Sequence, residues 1–128
     1  MTHRPVHAAN LPKPVGPYSP GMGFERLIFV SGQGAVDPAT GTLSGNSVEA
    51  QTEQCLKNVE AILQAGGSSL KHVLRCGVFL LDMNEFQHMN AAYMRMFGDH
   101  RPARTTVQVA GLPGEGLLVE IDAIAYVP

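Results

Sequence analysis

The chain has 128 residues, of which 45% are hydrophobic and 16% are charged, and its formal net charge is -2. These values predict one globular domain over residues 1–128, and the acidic balance without a basic stripe argues against a protein that binds nucleic acid. No apolar run reaches the roughly 18 residues of a membrane span. The amino terminus lacks the apolar core of a signal peptide, so we expect a cytoplasmic protein.

The first third of the chain predicts two strands on either side of a stiff loop. Residues 3–8 predict a short edge strand, and the proline-rich residues 11–20 hold Tyr18 on a rigid loop. The Tyr18 ring either packs the loop onto the surface or presents its hydroxyl to a pocket. A buried strand is predicted over residues 25–31, and its Gly-x-Gly continuation meets a turn rather than a helix. The small residues Ser31 and Gly32 therefore indicate close approach of a ligand to the backbone rather than a phosphate loop.

The middle of the chain predicts two amphipathic helices with a central strand between them, at residues 73–81. Asn46 and Glu49 have the spacing of a capping box for a helix over residues 46–65. Asp82 and Glu85 have the same spacing before a helix that ends near residue 97. The predicted buried stripes are Val48, Thr52, Cys55, Leu56, Val59, Ile62 and Leu63 in the first helix, and Phe86, Met89, Tyr93, Met96 and Phe97 in the second.

Polar side chains at the margins of these elements are open to more than one interpretation. Asn90 lies one turn beyond Phe86. A side-chain amide at this position is either a hydrogen-bonded group of the core or surface, or a group that lines a pocket. Cys55 and Cys76 fall on apolar faces far apart in sequence, which predicts free buried thiols rather than a disulfide. The five histidines lack metal-ligand spacing, so we expect no metal site.

Two alternating strands end the chain and carry the most informative charges. In the first, Arg104 and Thr106 point to the polar, solvent-facing side and Val107 to the apolar side; in the second, Glu120 points away from an apolar face. If these strands form a hairpin, Glu120 lies diagonal to Arg104, about 7–8 Å away. Such a pair is either a structural ion pair across the sheet or a carboxylate-binding guanidinium beside a carboxylate that orients water. The order of elements predicts an α+β sheet with both helices on one face.

Three segments resemble the motifs of one known family. They are VGPYSPG at residues 15–21, FVSGQ at residues 29–33, and PAR followed by a strand, a Leu-Pro turn and VEIDAIA. In this order and spacing they resemble the RidA (YjgF) family over essentially the whole chain. The resemblance implies a chorismate-mutase-like mixed sheet in which the last strand inserts between earlier strands. It also implies a homotrimer with clefts between subunits. The residues alone do not choose between insertion and a hairpin.

The resemblance also implies an activity. RidA-like proteins are 2-iminobutanoate/2-iminopropanoate deaminases that hydrolyse imines and enamines such as 2-aminoacrylate to 2-keto acids and ammonia, without a cofactor. By this resemblance Arg104 holds the substrate carboxylate and Glu120 orients water. The cleft is completed by substrate-binding residues, which are Tyr18, Ser31, Gly32, Asn90 and Thr106.

Two departures and three alternatives accompany this interpretation. Thr106 stands where many members carry a cysteine, and Gly34-Ala35 stand where many carry bulkier residues, which predicts a wider pocket. The main alternative is a non-catalytic trimer that binds or senses a small carboxylate. An endoribonuclease or translation inhibitor is disfavoured by the acidic balance. A 2-aminomuconate-type deaminase would need a second cation, and no residue clearly supplies one.

Overall fold

The computed structural model describes residues 2–7, 9–11 and 13–128. In this part of the chain the α-helices are α1 (Val48–Ala65) and α2 (Phe86–Phe97), and the strands are β1 (Arg4–Val6), β2 (Gly21–Phe24), β3 (Leu27–Gln33), β4 (Val36–Asp37), β5 (Thr42–Leu43), β6 (Val73–Leu80), β7 (Ala103–Gln108) and β8 (Val119–Tyr126). Strands β4 and β5 form a small ribbon of their own, and the other six strands form one sheet. The predicted first edge strand is confirmed at β1, while Ala8 of that prediction lies outside the described residues.

The last strand is inserted into the middle of the sheet. The strand order is β1-β2-β3-β8-β6-β7, with β8 antiparallel to both β3 and β6. Strand β7 pairs only with β6, in parallel, because α2 carries the chain back over the sheet before β7 begins. The hairpin between the last two strands is therefore wrong, and the inserted topology implied by the family resemblance is confirmed.

Both helices cover one face of the sheet, as predicted. All seven stripe residues predicted for α1 are buried, and α1 packs against α2, β3 and β8. On α2, Met89, Tyr93 and Phe97 are buried, whereas Phe86 and Met96 are only partly buried at the margin of the core. On β8, the alternating residues that face the helices are Val119, Ile121, Ala123 and Ala125, each at most 3% exposed.

The opposite face of the sheet, which we call the open face, carries exposed apolar side chains. Strand register places Phe24, Leu27, Phe29 and Tyr126 together there, with Val107 near the β7 edge. These five side chains are between 36 and 41% exposed. Contiguous apolar surface of this kind commonly marks a protein–protein contact.

Helix caps differ in detail from the predicted ones. Helix α1 begins after Ser47, whose extended backbone lets its Oγ accept a hydrogen bond from the amide of Ala50 at 3.1 Å. The predicted capping box of Asn46 and Glu49 is therefore wrong by one residue. Asp82 does accept from the Asn84 amide, but it caps a short 3-10 turn that leads into α2 at Phe86.

A buried glutamine holds the segment that leads into β8. Gln51 on α1 is fully buried, and its Nε2 donates to the carbonyls of Gly45 and Gly116, each at 2.9 Å. Its Oε1 accepts from the Leu118 amide at 2.8 Å. These three bonds hold the chain in place immediately before β8. They therefore determine the register with which β8, including Glu120, enters the sheet.

Both cysteines are free and buried, as predicted. Burial raises the pKa of the Cys76 thiol to about 11 and raises that of Cys55 as well. Among the described residues, no helix has the length and apolar content needed to cross a membrane.

Candidate active site

Glu120 lies on β8 directly beside Gly32 of β3. A Cβ placed on Gly32 would collide with Oε1 of Glu120, so the carboxylate occupies the space that a side chain at this position would fill. The pairing of β3 with β8 shifts register between Val30 and Gln33, which is a bulge at this position. The bulge and the missing side chain together open the sheet beside Glu120.

The space beside Glu120 is a cavity of about 670 Å³, which we call the Glu120 cavity. Tyr18, Gly32 and Glu120 line it, together with Gly34 and Leu117. Lys13 and Glu115 also line it, and sequence reasoning missed both. Lys13 supplies a positive charge that the sequence did not clearly indicate, because its loop meets this wall only in the folded chain.

The environment of Glu120 disfavours its ionised form. Burial and, to a smaller extent, the negative charge of Asp122 raise the pKa of Glu120 above that of an ordinary carboxyl. Asp122 is fixed nearby because its Oδ1 accepts a hydrogen bond from the Gly77 amide at 2.7 Å. A carboxylate with a raised pKa is a better proton acceptor from water near neutral pH, provided that it remains ionised.

Tyr18 and Ser31 belong to the wall of the Glu120 cavity and its neighbouring groove. The Tyr18 hydroxyl accepts from the Val15 amide at 3.3 Å, and the side chain is 46% exposed. Ser31 Oγ donates to the Ser19 carbonyl at 2.7 Å and so ties the proline-rich loop to β3. Ser31 lines the adjoining groove with Tyr18 rather than the Glu120 cavity itself.

A second group of candidate residues lies at the β7 edge of the sheet. Arg104 Nη2 donates to Asn90 Oδ1 at 2.9 Å, and Nη1 lies 3.7 Å from Met89 Sδ. The Arg104 Cζ lies 4.8 Å from the centre of the Tyr93 ring and 5.6 Å from that of Phe86. We call Arg104, Phe86, Met89, Asn90 and Tyr93 the Arg104 cluster. Sequence reasoning assigned the three apolar members to the core, and their spacing on α2 was the available signal for a shared face.

The two groups lie on opposite faces of the sheet. Arg104 is in register with Cys76, which faces the helices, whereas Glu120 is in register with Phe79 on the open face. They are also two strands apart, which is about 10 Å across the sheet. The prediction that Arg104 and Glu120 approach each other across a hairpin is therefore wrong for one chain. Thr106 lies half buried on the same side as Arg104.

The Arg104 face was mispredicted because alternation does not say which side the helices cover. Arg104 and Thr106 were placed on a solvent face, with Val107 on the apolar one. In the structure Arg104 and Thr106 are half buried on the helix side, and Val107 is 38% exposed on the open face. The guanidinium tolerates the helix side because aromatic rings and an amide receive it.

Comparison with known proteins assigns the chain to a family. The mixed sheet with two helices on one face defines an α+β protein. Residues 8–127 match the family model described as Endoribonuclease L-PSP. The chain belongs to this family, which is the RidA (YjgF) family.

Relatives in this family carry several different names. A RutC family protein of Pyrococcus horikoshii is 44% identical over 94% of this chain and 95% of its own length. The human 2-iminobutanoate/2-iminopropanoate deaminase is 38% identical over 98% of this chain and 90% of its own length. The crystal structure of Escherichia coli TdcF with bound serine superposes with a TM-score of 0.89 at 36% identity, covering 96% of this chain and 98% of TdcF.

Removing the charge beside Glu120 tests the cause of its raised pKa. We expect Asp122→Asn to lower the pKa of Glu120, because a like charge nearby disfavours ionisation and asparagine can still accept from the Gly77 amide. Carboxyl carbon shifts of Glu120 followed by NMR across pH measure this directly. An unchanged or higher pKa in the variant would contradict the assignment.

Adding one methyl group beside Glu120 tests the steric role of Gly32. We expect Gly32→Ala to move the Glu120 carboxylate, because the added Cβ takes the space that Oε1 occupies and the end of this side chain is flexible. The matched control is Gly111→Ala, since nothing lies within 4 Å of a Cβ built there. The NMR shift of the Glu120 carboxyl carbon should change in Gly32→Ala and match wild type in Gly111→Ala, and equal shifts in the two variants would contradict the steric role.

Proposed function

We propose that this protein is a 2-iminobutanoate/2-iminopropanoate deaminase, which hydrolyses reactive imines and enamines such as 2-aminoacrylate to 2-keto acids and ammonia. We further propose that it acts as a homotrimer with its sites in clefts between subunits. In each site, the Arg104 cluster of one subunit faces the Glu120 cavity of the next. No cofactor takes part in this reaction.

One observation carries the proposal: Arg104 and Glu120 lie on opposite faces of the sheet. A site that uses both must therefore bring them from two copies of the chain. Joining one surface of each copy to a different surface of the next gives a heterologous contact, and a rotation of about 120° between copies closes such contacts into the proposed trimer. The exposed apolar residues of the open face, such as Phe29 and Tyr126, supply surface for this contact.

The residues suit hydrolysis of an imine next to a carboxylate. Arg104 binds the substrate carboxylate through the paired N–H groups of its guanidinium. Glu120 takes a proton from water as the water oxygen bonds to the imine carbon and the π electrons move to nitrogen. That proton is passed to the nitrogen, which gives a carbinolamine. The proton of its hydroxyl group is then transferred to the nitrogen, the carbon–oxygen bond becomes a carbonyl, the carbon–nitrogen bond breaks, and ammonia and a 2-keto acid are released. An enamine enters the same route after it tautomerises to its imine.

The remaining candidate residues have supporting roles. Gly32 allows substrate to approach the backbone beside Glu120, Tyr18 lines that wall, and Ser31 holds the Tyr18 loop through its hydrogen bond to the Ser19 carbonyl. In this proposal, backbone carbonyls beside Gly32 and at Thr106 accept hydrogen bonds from the substrate nitrogen. Asn90 orients the guanidinium of Arg104 by accepting a hydrogen bond from Nη2. Such imines also hydrolyse in water, so positioning one water molecule is sufficient to accelerate the reaction.

The relatives support the activity to different degrees. The human relative is named for this reaction. The TdcF structure holds serine, a small molecule with the carboxylate that Arg104 would bind. The RutC name describes no reaction, and the family description names a ribonuclease. No histidine of the described residues lines the Glu120 cavity, which disfavours ribonuclease chemistry by a histidine pair.

Conservative substitution of each charged residue separates binding from turnover. We expect Arg104→Lys to lower the rate of imine hydrolysis by about 10- to 100-fold, because lysine keeps the charge but loses the paired donors. We expect Glu120→Gln to retain binding of 2-oxobutanoate and to lose at least about 100-fold in kcat. An amino-acid oxidase assay with semicarbazide trapping measures the rates, and calorimetry measures binding. Arg95→Lys, at an exposed ion pair on α2, is the control and keeps the wild-type rate.

Three outcomes would contradict this assignment. A wild-type rate of imine hydrolysis in Arg104→Lys would exclude binding of the substrate carboxylate by the paired N–H groups of Arg104. Full turnover in Glu120→Gln would exclude the base, while a wild-type protein that binds 2-oxobutanoate without hydrolysing imines would favour the carboxylate-binding alternative.

Mixing two inactive variants tests whether the site spans two subunits. Arg104→Ala and Glu120→Gln chains, unfolded and refolded together, form mixed trimers in which about one quarter of clefts pair an intact Arg104 with an intact Glu120. We therefore expect recovery of about one quarter of the wild-type rate at equal mixing. If both residues acted from the same chain, no mixed trimer would hold an intact site and the rate would stay at the level of the separate variants.

A further inference from the structure

One face of α2 surrounds the guanidinium of Arg104. Phe86, Met89, Asn90 and Tyr93 follow the i, i+3, i+4, i+7 spacing, which places them on one stripe of a helix. Asn90 contacts the edge of the guanidinium at 2.9 Å, and the Tyr93 and Phe86 rings lie 4.8 and 5.6 Å from Cζ. Both distances are within the range of cation–π contacts.

All members of this stripe are electrically neutral. In the described part of the chain, ion pairs join Lys57 to Glu53, His88 to Glu85 and Arg95 to Glu49, and none of them includes Arg104. A carboxylate partner would hold the guanidinium but would cancel the charge that attracts an anion. The rings and the amide instead hold it with its positive charge undiminished, and aromatic stacking leaves the N–H groups in the guanidinium plane able to donate.

The ring of Tyr93, rather than its hydroxyl, makes the contact with Arg104. Tyr93 is 6% exposed, and its hydroxyl faces the Cys76 thiol without a hydrogen-bond partner of good geometry among the described residues. A buried hydroxyl without a good partner costs desolvation free energy, so its removal does not destabilise the fold. Tyr93→Phe should therefore preserve whatever the ring does for Arg104.

We propose that Tyr93 and Phe86 are positioning residues that hold the Arg104 guanidinium in place without neutralising it, and that they thereby set the affinity for the substrate carboxylate. The proposal rests on the proposed function, in which Arg104 binds that carboxylate. Tyr93 makes the larger contribution because its ring is closer to Cζ and is fully packed, whereas Phe86 is only partly buried.

The test compares four variants by their Kd for 2-oxobutanoate and by the separate KM and kcat of imine hydrolysis. We expect Tyr93→Leu to raise Kd and KM about tenfold while kcat changes less than about threefold, because loss of a partly desolvated cation–π contact weakens carboxylate binding rather than water attack. We expect Tyr93→Phe to match wild type. Phe86→Leu raises Kd about threefold and gives a second variant should Tyr93→Leu fail to fold.

The matched control is Phe97→Leu. Phe97 is a buried aromatic residue on the same helix, and its ring centre lies 4.7 Å from that of Tyr93, but it makes no cation–π contact with Arg104. This variant should lower the unfolding temperature without changing Kd. Comparison of Tyr93→Leu with Phe97→Leu thus separates loss of the contact with the guanidinium from loss of aromatic packing in α2.

A double-variant cycle asks whether Tyr93 acts through Arg104. In an Arg104→Ala background, Tyr93→Leu should weaken 2-oxobutanoate binding no further. Equal weakening in both backgrounds, weakening by Phe97→Leu, or failure of Tyr93→Phe to restore binding would each overturn the proposal.

Failure of the proposed function gives a different result. If the wild-type protein binds 2-oxobutanoate but hydrolyses no imine, the proposed deaminase activity is rejected. The positioning role is still supported in that case if the Kd for 2-oxobutanoate changes in the Tyr93 and Phe86 variants as described. Wild-type protein that does not bind 2-oxobutanoate would overturn the positioning role, because Arg104 would then hold no carboxylate.

Discussion

The insertion of β8 between β3 and β6 is the constraint on which the rest of the site depends. It brings Glu120 beside Gly32, since β3 and β8 become neighbours, and it separates β7 from β8 by a whole strand. Alternation along the strands then sends Arg104 toward the helices and Glu120 toward the open face. One chain therefore presents Arg104 and Glu120 on different faces, and in the proposed function each face supplies one half of a site, called here a half-site.

The two half-sites are electrostatically complementary. Glu120 lies near a like charge, and burial further disfavours its ionisation. Arg104 carries a charge that no described residue neutralises. Lys13 lines the cavity beside Glu120, but none of the ion pairs among the described residues includes Glu120 or Arg104. Under the proposed function, a neighbouring subunit together with an anionic substrate would bring the opposite charge to each group. A guanidinium brought near Glu120 would lower the pKa of that carboxyl and keep it ionised at neutral pH.

Much of the fold could be predicted from the sequence because each helix and strand has its own periodic spacing of apolar residues. The stripe of α1, the central strand that became β6 and the stop at Gly98 each follow from spacing within one element. The cap of α1 was misplaced by one residue because Asn46 and Ser47 are both good caps, and only the backbone at Ser47 decides between them. Strand order is not local, so the residues left a hairpin and an insertion equally open. The side of the sheet on which Arg104 lies depends on where α2 crosses, and alternation alone cannot supply that.

The residues around Arg104 show why the sequence pattern of a buried helix stripe does not reveal contacts with a charged side chain. Met89 and Tyr93 satisfy every rule for a buried helix stripe, and they are indeed buried. They are also the surface on which a charged side chain rests, because the stripe extends past the core to the edge strand β7. Periodicity reports only that a face is apolar, and an aromatic face accepts an aliphatic neighbour and a guanidinium equally well. A single helix face can therefore pack against the core at one end and contact an arginine side chain at the other, and only the position of the edge strand shows where the arginine contact begins.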